Sequence, residues 1–436
     1  MKASKDHNLL LPGLFILTFF LLLPLPEANG EDAFRYIDAL FDPALDGGEP
    51  ELILFPADDA PLPVPVWIRA YVLDDDDQPV TRASQLLTVS DTMRYTLPVE
   101  SGREIVGISV QKEEESESPW FDFRALYLDG SPVIDYNAEE VNTRPDDFYR
   151  YWEDARERLS QTDPQPQIEE VPDFESETGR LYRVTLQSWD DVPVVGWFVV
   201  PEDAGENGKT YPAIQIMPGW GAEQPPMDRT AEGFVTFSLN PRSHGPSREY
   251  FETPVAHHLW NIDQPEEYYY RAAYMDGVRG LDFLSDRREV DAERIAVEGG
   301  SQGGAFAIAL AGLDNRVAAA VANVPYISNI PDYIRLSTSG SGGEFLEKVR
   351  NPENGETAAR SLAYIDAANI AYDINVPTQI IVGEQDVVTP PLNGVVARNR
   401  IPEHVPAELL REFSAGHEIT NFMRESNLRW YREHLK

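Results

Sequence analysis

One stretch of this chain constrains its fold more than any other: RIAVEGGSQGGA over residues 294–305. Residues 295–297 are apolar and read as a buried strand, Gly299, Ser301 and Gly303 form G-x-S-x-G, and residues 305–313 read as a helix of small side chains. A strand, a glycine-flanked serine and a helix in this order are the sequence form of a nucleophile elbow. A serine on so sharp a turn needs neighbours without side chains, because a Cβ two residues to either side would collide with the crossing strand and helix. Gly299, Gly303 and Gly304 meet that need. The turn exposes the Ser301 hydroxyl and aims the backbone N–H of Gln302, at the start of the helix, toward a developing oxyanion. Read without chemistry, the same residues are a glycine-rich strand-to-helix turn.

A serine nucleophile needs a base, and the base needs an orienting carboxylate. Three histidines follow Ser301. His404 is flanked by charge and proline and His434 lies in a terminal amphipathic segment, so both read as surface residues. His417 follows a predicted strand over 409–413 in a loop of small residues, SAGHE over 414–418, and is the candidate base. For the carboxylate, the predicted strand over 379–382 releases through Gly383 to Glu384 and Asp386. A strand-G-x-x-D turn aims Asp386 back across the sheet edge, so Asp386 is preferred over Glu384. Asp386 lies 85 residues after Ser301 and His417 a further 31 beyond it, which leaves room for a strand and helix between members. The order serine, acid, histidine is that of the α/β-hydrolase fold. A second oxyanion donor is expected from PGWGA over 218–222, after the predicted strand over 213–217, where the backbone N–H of Trp220 faces the substrate oxygen. No metal or organic cofactor is required.

The surrounding pattern agrees. From residue 142 onward, predicted strands over 213–217, 235–239, 295–297, 318–322, 379–382 and 409–413 alternate with helices, which marks a doubly wound, mostly parallel sheet. Strands over 181–187 and 192–200 form an antiparallel lead-in, and the helix over 267–284 places Tyr270, Tyr274, Val278 and Leu281 on one face. GSGG over 340–343 reads as a flexible loop.

Residues 31–140 differ. Short predicted strands over 66–73, 85–89, 93–98, 104–111 and 121–128 suggest a small antiparallel, immunoglobulin-like β-sandwich domain ahead of the α/β domain of 141–436. Four aspartates over 74–77 lack the G-x₅-E completion of a calcium loop and read as a solvated hairpin tip, and residues 113–117 as an exposed loop. Trp67 and Trp120 are candidates for a sugar-stacking face on this domain. Before it, Lys2 and Lys5, an apolar run over 14–25 and small residues at Ala28 and Gly30 read as a secretory signal over 1–30, so a secreted or periplasmic protein is expected. With no cysteine, an exported chain must be held by packing alone. Asp and Glu total 74 against 36 Lys and Arg, and the net charge of −38 argues against nucleic acid or an anionic membrane surface as a partner.

With these motifs placed, residues from about 142 to the C-terminus resemble the acetyl xylan esterase and cephalosporin C deacetylase family, carbohydrate esterase family seven. The matching segments are RPDDFYRYW over 144–152, YYYR over 268–271, VDAERIAV over 290–297, GGSQGG over 299–304, LAYIDAAN over 362–369, GEQDVVTPP over 383–391 and GHE over 416–418. The resemblance implies an α/β-hydrolase fold, an acetylated carbohydrate as substrate, and Ser301, Asp386 and His417 as a triad. It also implies that Pro325, in NVPY over 323–326, bounds a small acyl pocket. The family's R-G-Q-G appears here as RSHG over 242–245: Arg242 and Gly245 match as scaffold residues, while Ser243 and His244 do not. An imidazole at 244 can take the glutamine's place as a structural hydrogen-bonder. The family's cytoplasmic hexamer is not carried over, because an N-terminal domain would obstruct it, and the oligomeric state stays open. Two other readings remain: a prolyl-oligopeptidase-type peptidase or general short-chain esterase, for which 31–140 is too short to be a propeller, and a non-catalytic binding protein on a hydrolase scaffold.

Overall fold

The computed structural model describes residues 143–336, 340–384, 386, 388–412 and 415–435, together with strand segments between 37 and 132. The expected signal over 1–30, the aspartates over 74–77, the loop over 113–117 and Trp120 lie outside the described residues. The chain packs as two units, one within Met1–Ala70, Thr81–Pro98 and Ile108–Asp122, the other within Tyr71–Val80, Val99–Gly107 and Phe123–Lys436.

Among the described residues, eight strands precede residue 133: β1 (Ile37–Asp42), β2 (Glu51–Pro56), β3 (Val64–Leu73), β4 (Pro79–Val89), β5 (Met93–Thr96), β6 (Arg103–Gln111), β7 (Phe121–Leu128) and β8 (Ser131–Pro132). They form a three-stranded antiparallel sheet, β1-β2-β5, and a five-stranded sheet in the order β4-β3-β6-β7-β8. The five strands read from the sequence all appear. Trp67 on β3 is half-buried.

The large sheet has nine strands in the order β17-β16-β15-β14-β12-β13-β11-β10-β9. Their spans are β9 (Gln167–Glu170), β10 (Gly179–Gln187), β11 (Pro193–Pro201), β12 (Tyr211–Met217), β13 (Val235–Asn240), β14 (Val290–Gly300), β15 (Val317–Asn323), β16 (Thr378–Gly383) and β17 (Ala407–Glu412). The six strands from β12 onward are mutually parallel. The strands β9, β10 and β11 form an antiparallel extension on the outer edge of β13.

Among the described residues nine α-helices accompany these strands: α1 (Phe148–Ser160), α2 (Tyr269–Ser285), α3 (Gln302–Leu313), α4 (Ile330–Leu336), α5 (Gly340–Val349), α6 (Gly355–Ile365), α7 (Ala367–Ile370), α8 (Leu392–Arg400) and α9 (Asn421–His434). Side chains alternate across a strand, and here both sets are covered. Ala213, Met217, Val297, Ala320, Ala322 and Val382 share one core with residues of α1, α2, α3 and α8. Ile214, Ile216, Ala296, Ala319 and Val321 meet Trp430 and Tyr431 of α9 on the opposite face. Strands buried on both faces are continuous apolar runs, which is why this sheet was legible. α3 is buried on all sides from Gln302 to Ala311, and only a helix of glycine, alanine and a few larger residues fits so close to a sheet.

The glycine-rich segment 340–343 is not a loop but the first turn of α5. The buried side chain of Phe345 anchors this helix, and tertiary packing outweighs the weak helix propensity of glycine.

At the end of β14 the chain turns so sharply that a Cβ on Gly303 would stand 2.2 Å from the Met217 carbonyl oxygen, and one on Gly299 would stand 2.3 Å from the backbone of Gly303. Both obstacles are backbone, which cannot move aside. Gly303→Ala is therefore expected to cost about 3 kcal/mol or more, as overpacking against main chain does. Urea unfolding of the variant checks this, and wild-type stability would contradict the geometry.

Candidate active site

Ser301 sits between β14 and α3 with φ 56° and ψ −119°, a conformation few non-glycine residues adopt. Four backbone hydrogen bonds hold it there. Its N–H donates to Asn323 O at 2.9 Å, and its carbonyl accepts from Gly304, Ala305 and Tyr326 N–H at 2.9, 3.2 and 2.9 Å. The turn after β15 thus clasps the serine backbone from the side. Val324 in that turn has φ 41°, unusual for a β-branched residue, and is buried. Pro325 beside it is buried as well, with its Cα 3.1 Å from where a Cβ on Gly304 would stand.

The Ser301 Oγ lies 3.0 Å from His417 Nε2, and His417 Nδ1 lies 2.8 Å from Asp386 Oδ2. Three residues read from distant loops are therefore in one hydrogen-bonded line. Asp386 is buried and fixed from behind. Oδ1 accepts the N–H groups of Val388 and Thr389 at 2.9 and 2.8 Å, and Oδ2 accepts the Thr389 hydroxyl at 2.7 Å. With Asp386 ionised, His417 Nδ1 carries the proton and Nε2 is left to accept one from Ser301. Glu384, the competing carboxylate, is instead ion-paired with Arg411 on β17.

Gln302 is the first residue of α3, so its backbone N–H has no preceding turn to bond to. Its side chain is fully buried, with partners on both Oε1 and Nε2. Oε1 accepts from His257 Nε2 and from the Tyr270 hydroxyl, each at 2.8 Å, and Nε2 donates to His244 Nε2 at 2.9 Å. His244 thus takes the structural hydrogen-bonding role expected of it. Its Nδ1–H faces Arg242 O and the Tyr269 hydroxyl, each at 3.2 Å. Arg242 grips buried Asp276 with Nε at 2.8 Å and a terminal nitrogen at 2.9 Å, and its backbone N–H adds a third bond at 3.0 Å. Gly245 turns with φ 42°, and a Cβ there would strike Asn240 Oδ1.

Trp220, in the loop after β12, lies on the same side as the elbow: the Cβ position of its neighbour Gly219 is 3.9 Å from Gly300 O. Trp220 as a residue is 49% exposed. Sequence reasoning missed the partners of these residues, among them His257, His258, Tyr269, Tyr270, Asp276 and Thr389. Tyr270 and Thr389 lie within the YYYR and GEQDVVTPP segments, but nothing in those strings assigns them to Gln302 or Asp386.

The fold and this geometry define an α/β hydrolase. A model of the acetyl xylan esterase (AXE1) family matches residues 128–434, and the chain belongs to that family, whose members hydrolyse esters. It is 24% identical over 388 residues to acetyl esterase Axe7A of Xylanibacter ruminicola, covering 84% of this chain and 83% of that protein. Among solved structures it is similar to the acetyl xylan esterase of Paenibacillus sp. R4, with 28% identity, a TM-score of 0.64, and 69% of this chain and 98% of that one covered. It shares its fold with acetyl xylan esterase 1 of Thermoanaerobacterium sp. JW/SL YS485, with 22% identity and a TM-score of 0.62 over 68% of this chain and 96% of that one.

Burial lowers the pKa of His244 to about 4 and that of His257 to about 3, so both are neutral at neutral pH. In the unfolded chain they titrate near the ordinary ~6.5. Between the two values the unfolded chain binds protons that the folded chain excludes. Stability from this source is complete above about pH 6.5 and falls on acidification, by up to about 1.4 kcal/mol per pH unit for each imidazole. Urea unfolding at about pH 7 and about pH 5 should show the loss. His244→Gln keeps an acceptor for the Gln302 amide and should reduce it, and an unchanged pH slope in that variant would contradict a neutral buried His244.

Proposed function

We propose that this chain is a secreted serine carboxylesterase that removes O-acetyl groups from acetylated carbohydrate, xylan or xylo-oligosaccharides, through an acyl-serine intermediate. The observation that carries the mechanism is the line from Ser301 Oγ to His417 Nε2 at 3.0 Å and from His417 Nδ1 to Asp386 Oδ2 at 2.8 Å, on an elbow that fixes the serine backbone. The substrate class rests on family membership and on the names of the relatives. Secretion rests on the leader-like residues 1–30.

In this reading His417 Nε2 takes the Ser301 proton as Oγ bonds to the acetyl carbonyl carbon. The oxyanion is held by the backbone N–H groups of Gln302 and Trp220. Asp386 stabilises the imidazolium. His417 returns the proton to the departing sugar oxygen, which leaves acetyl-Ser301 and a free sugar hydroxyl. Water then attacks the acyl carbon with His417 again as base, and collapse of the second tetrahedral intermediate releases acetate and restores the serine. Pro325, buried against the start of α3, limits the space for a longer acyl chain.

Acetate release from acetylated xylo-oligosaccharides and from an acetylated peptide tests this reading. Release from the sugar alone is expected, and Ser301→Ala should abolish it. Asp386→Asn should lower kcat by about 10⁴-fold, because the histidine tautomer is then wrong, whereas Glu384→Gln should stay within about threefold of wild type. Hydrolysis that survives Ser301→Ala would overturn the serine mechanism, and release from the peptide alone would overturn the substrate class.

A further inference from the structure

We propose that the indole of Trp220 is the platform on which a sugar ring of the substrate stacks, and that His258 and Glu344 hold that platform in place. The proposal rests on the esterase reading above and adds a residue that selects the carbohydrate part of the ester.

Tryptophan is highly buried on average. Trp220 is 49% exposed, and it lies one residue from the Gly219 that borders the end of β14. Its ring is nevertheless held. The indole N–H, a donor only, donates to His258 Nδ1 at 3.2 Å. This fixes the His258 tautomer, so Nε2 carries the proton and donates to Glu344 Oε2 on α5 at 2.7 Å. His258 is itself buried, with its ring edge-on to Phe345 at 5.4 Å and its carbonyl accepting the Tyr268 hydroxyl at 2.8 Å. The indole also leans on His257 at 5.3 Å, and His257 bonds the side chain of Gln302, the residue after the nucleophile. The exposed ring is thus tied to the elbow through His257 and to α5 through His258.

An apolar surface held this rigidly beside a nucleophile presents a π-face to the C–H face of a pyranose, the same complementarity that makes aromatic rings prefer fixed stacking geometry. A small aryl ester carries no pyranose to place there. The discriminating quantity is therefore the ratio of kcat/KM for acetylated xylobiose to kcat/KM for an aryl acetate. Any effect of a Trp220 substitution on the backbone donor bears on both substrates and cancels in that ratio.

The test measures this ratio in the full-length protein and in three variants. Trp220→Ala should lower it by about tenfold or more, chiefly through KM for the sugar, since a fold-change of this size is what loss of a stacked ring gives. Trp220→Phe should recover most of the ratio, because a ring remains. Glu344→Ala removes an exposed carboxylate whose loss leaves the core intact, and it should lower the ratio by about two- to fivefold, through KM for the sugar. A ratio unchanged in Trp220→Ala, or lowered equally in Trp220→Ala and Trp220→Phe, would overturn the platform. A ratio unchanged in Glu344→Ala would overturn the role of the His258 tether. If the unmutated protein hydrolyses the aryl acetate and not the sugar ester, it is the proposed substrate class that fails.

Discussion

Everything at this site hangs on the crossing of β12, β14 and α3, where main chain meets main chain with no side chain between. The Met217 carbonyl lies 2.2 Å from the direction a Gly303 Cβ would take, which is closer than any side chain permits. This approach lets α3 begin immediately after Ser301, and so leaves the Gln302 N–H without an intrahelical acceptor. The Ser301 backbone itself is strained, by about 1–3 kcal/mol for a non-glycine residue at such a φ. Its bonds to Asn323, Gly304, Ala305 and Tyr326 over-determine the conformation and hold it. Strain kept at Ser301 in this way fixes its hydroxyl beside His417.

Two buried polar networks brace the crossing from opposite faces of the sheet. On the α9 face, Glu298 is ion-paired with Arg229 at 2.7 Å and accepts hydrogen bonds from Arg229 at 3.0 Å, from Asn427 at 3.1 Å and from Tyr431 at 3.0 Å. A charge so deeply placed is tolerable only when paired and fully bonded. On the other face, Gln302 joins His244, His257 and Tyr270. The two networks grip residues on either side of Ser301, at 298 and 302. Asp386 is supported separately by Thr389, whose hydroxyl also lies 3.1 Å from the carbonyl of strained Val324. Ser301, Asp386 and the clasping turn after β15 are therefore connected through a few short contacts.

Most of the large sheet was legible because its strands are buried on both faces and their apolar runs stand out between helices. Ser301, Asp386 and His417 were legible for a related reason: each follows such a run, and small residues mark the loops that carry them. At RSHG a structural hydrogen-bonding role was expected for His244, but its partner Gln302 was not read. What the chain does not display locally is pairing over long separations. His258 and Glu344 are 86 residues apart and His257 and Gln302 are 45 apart, and no periodicity or spacing rule joins them. The error at 340–343 has a different cause: glycine and serine have weak helix propensity, but α5 is fixed by the burial of Phe345 rather than by its first turn. β1, β2 and β9 went unread because they are short strands of four to six residues without clear alternation.

The central claim is that Ser301 becomes covalently acylated during turnover, and one measurement addresses it without relying on loss of activity in a variant. An acetylated substrate is mixed with the enzyme, quenched in acid within the first turnovers, and the digest is examined by mass spectrometry. The account predicts an acetyl group on the peptide carrying Ser301, at that residue, which disappears as substrate is exhausted. Acetate release with Ser301 unmodified at every time point would contradict it and would require water to attack the ester directly.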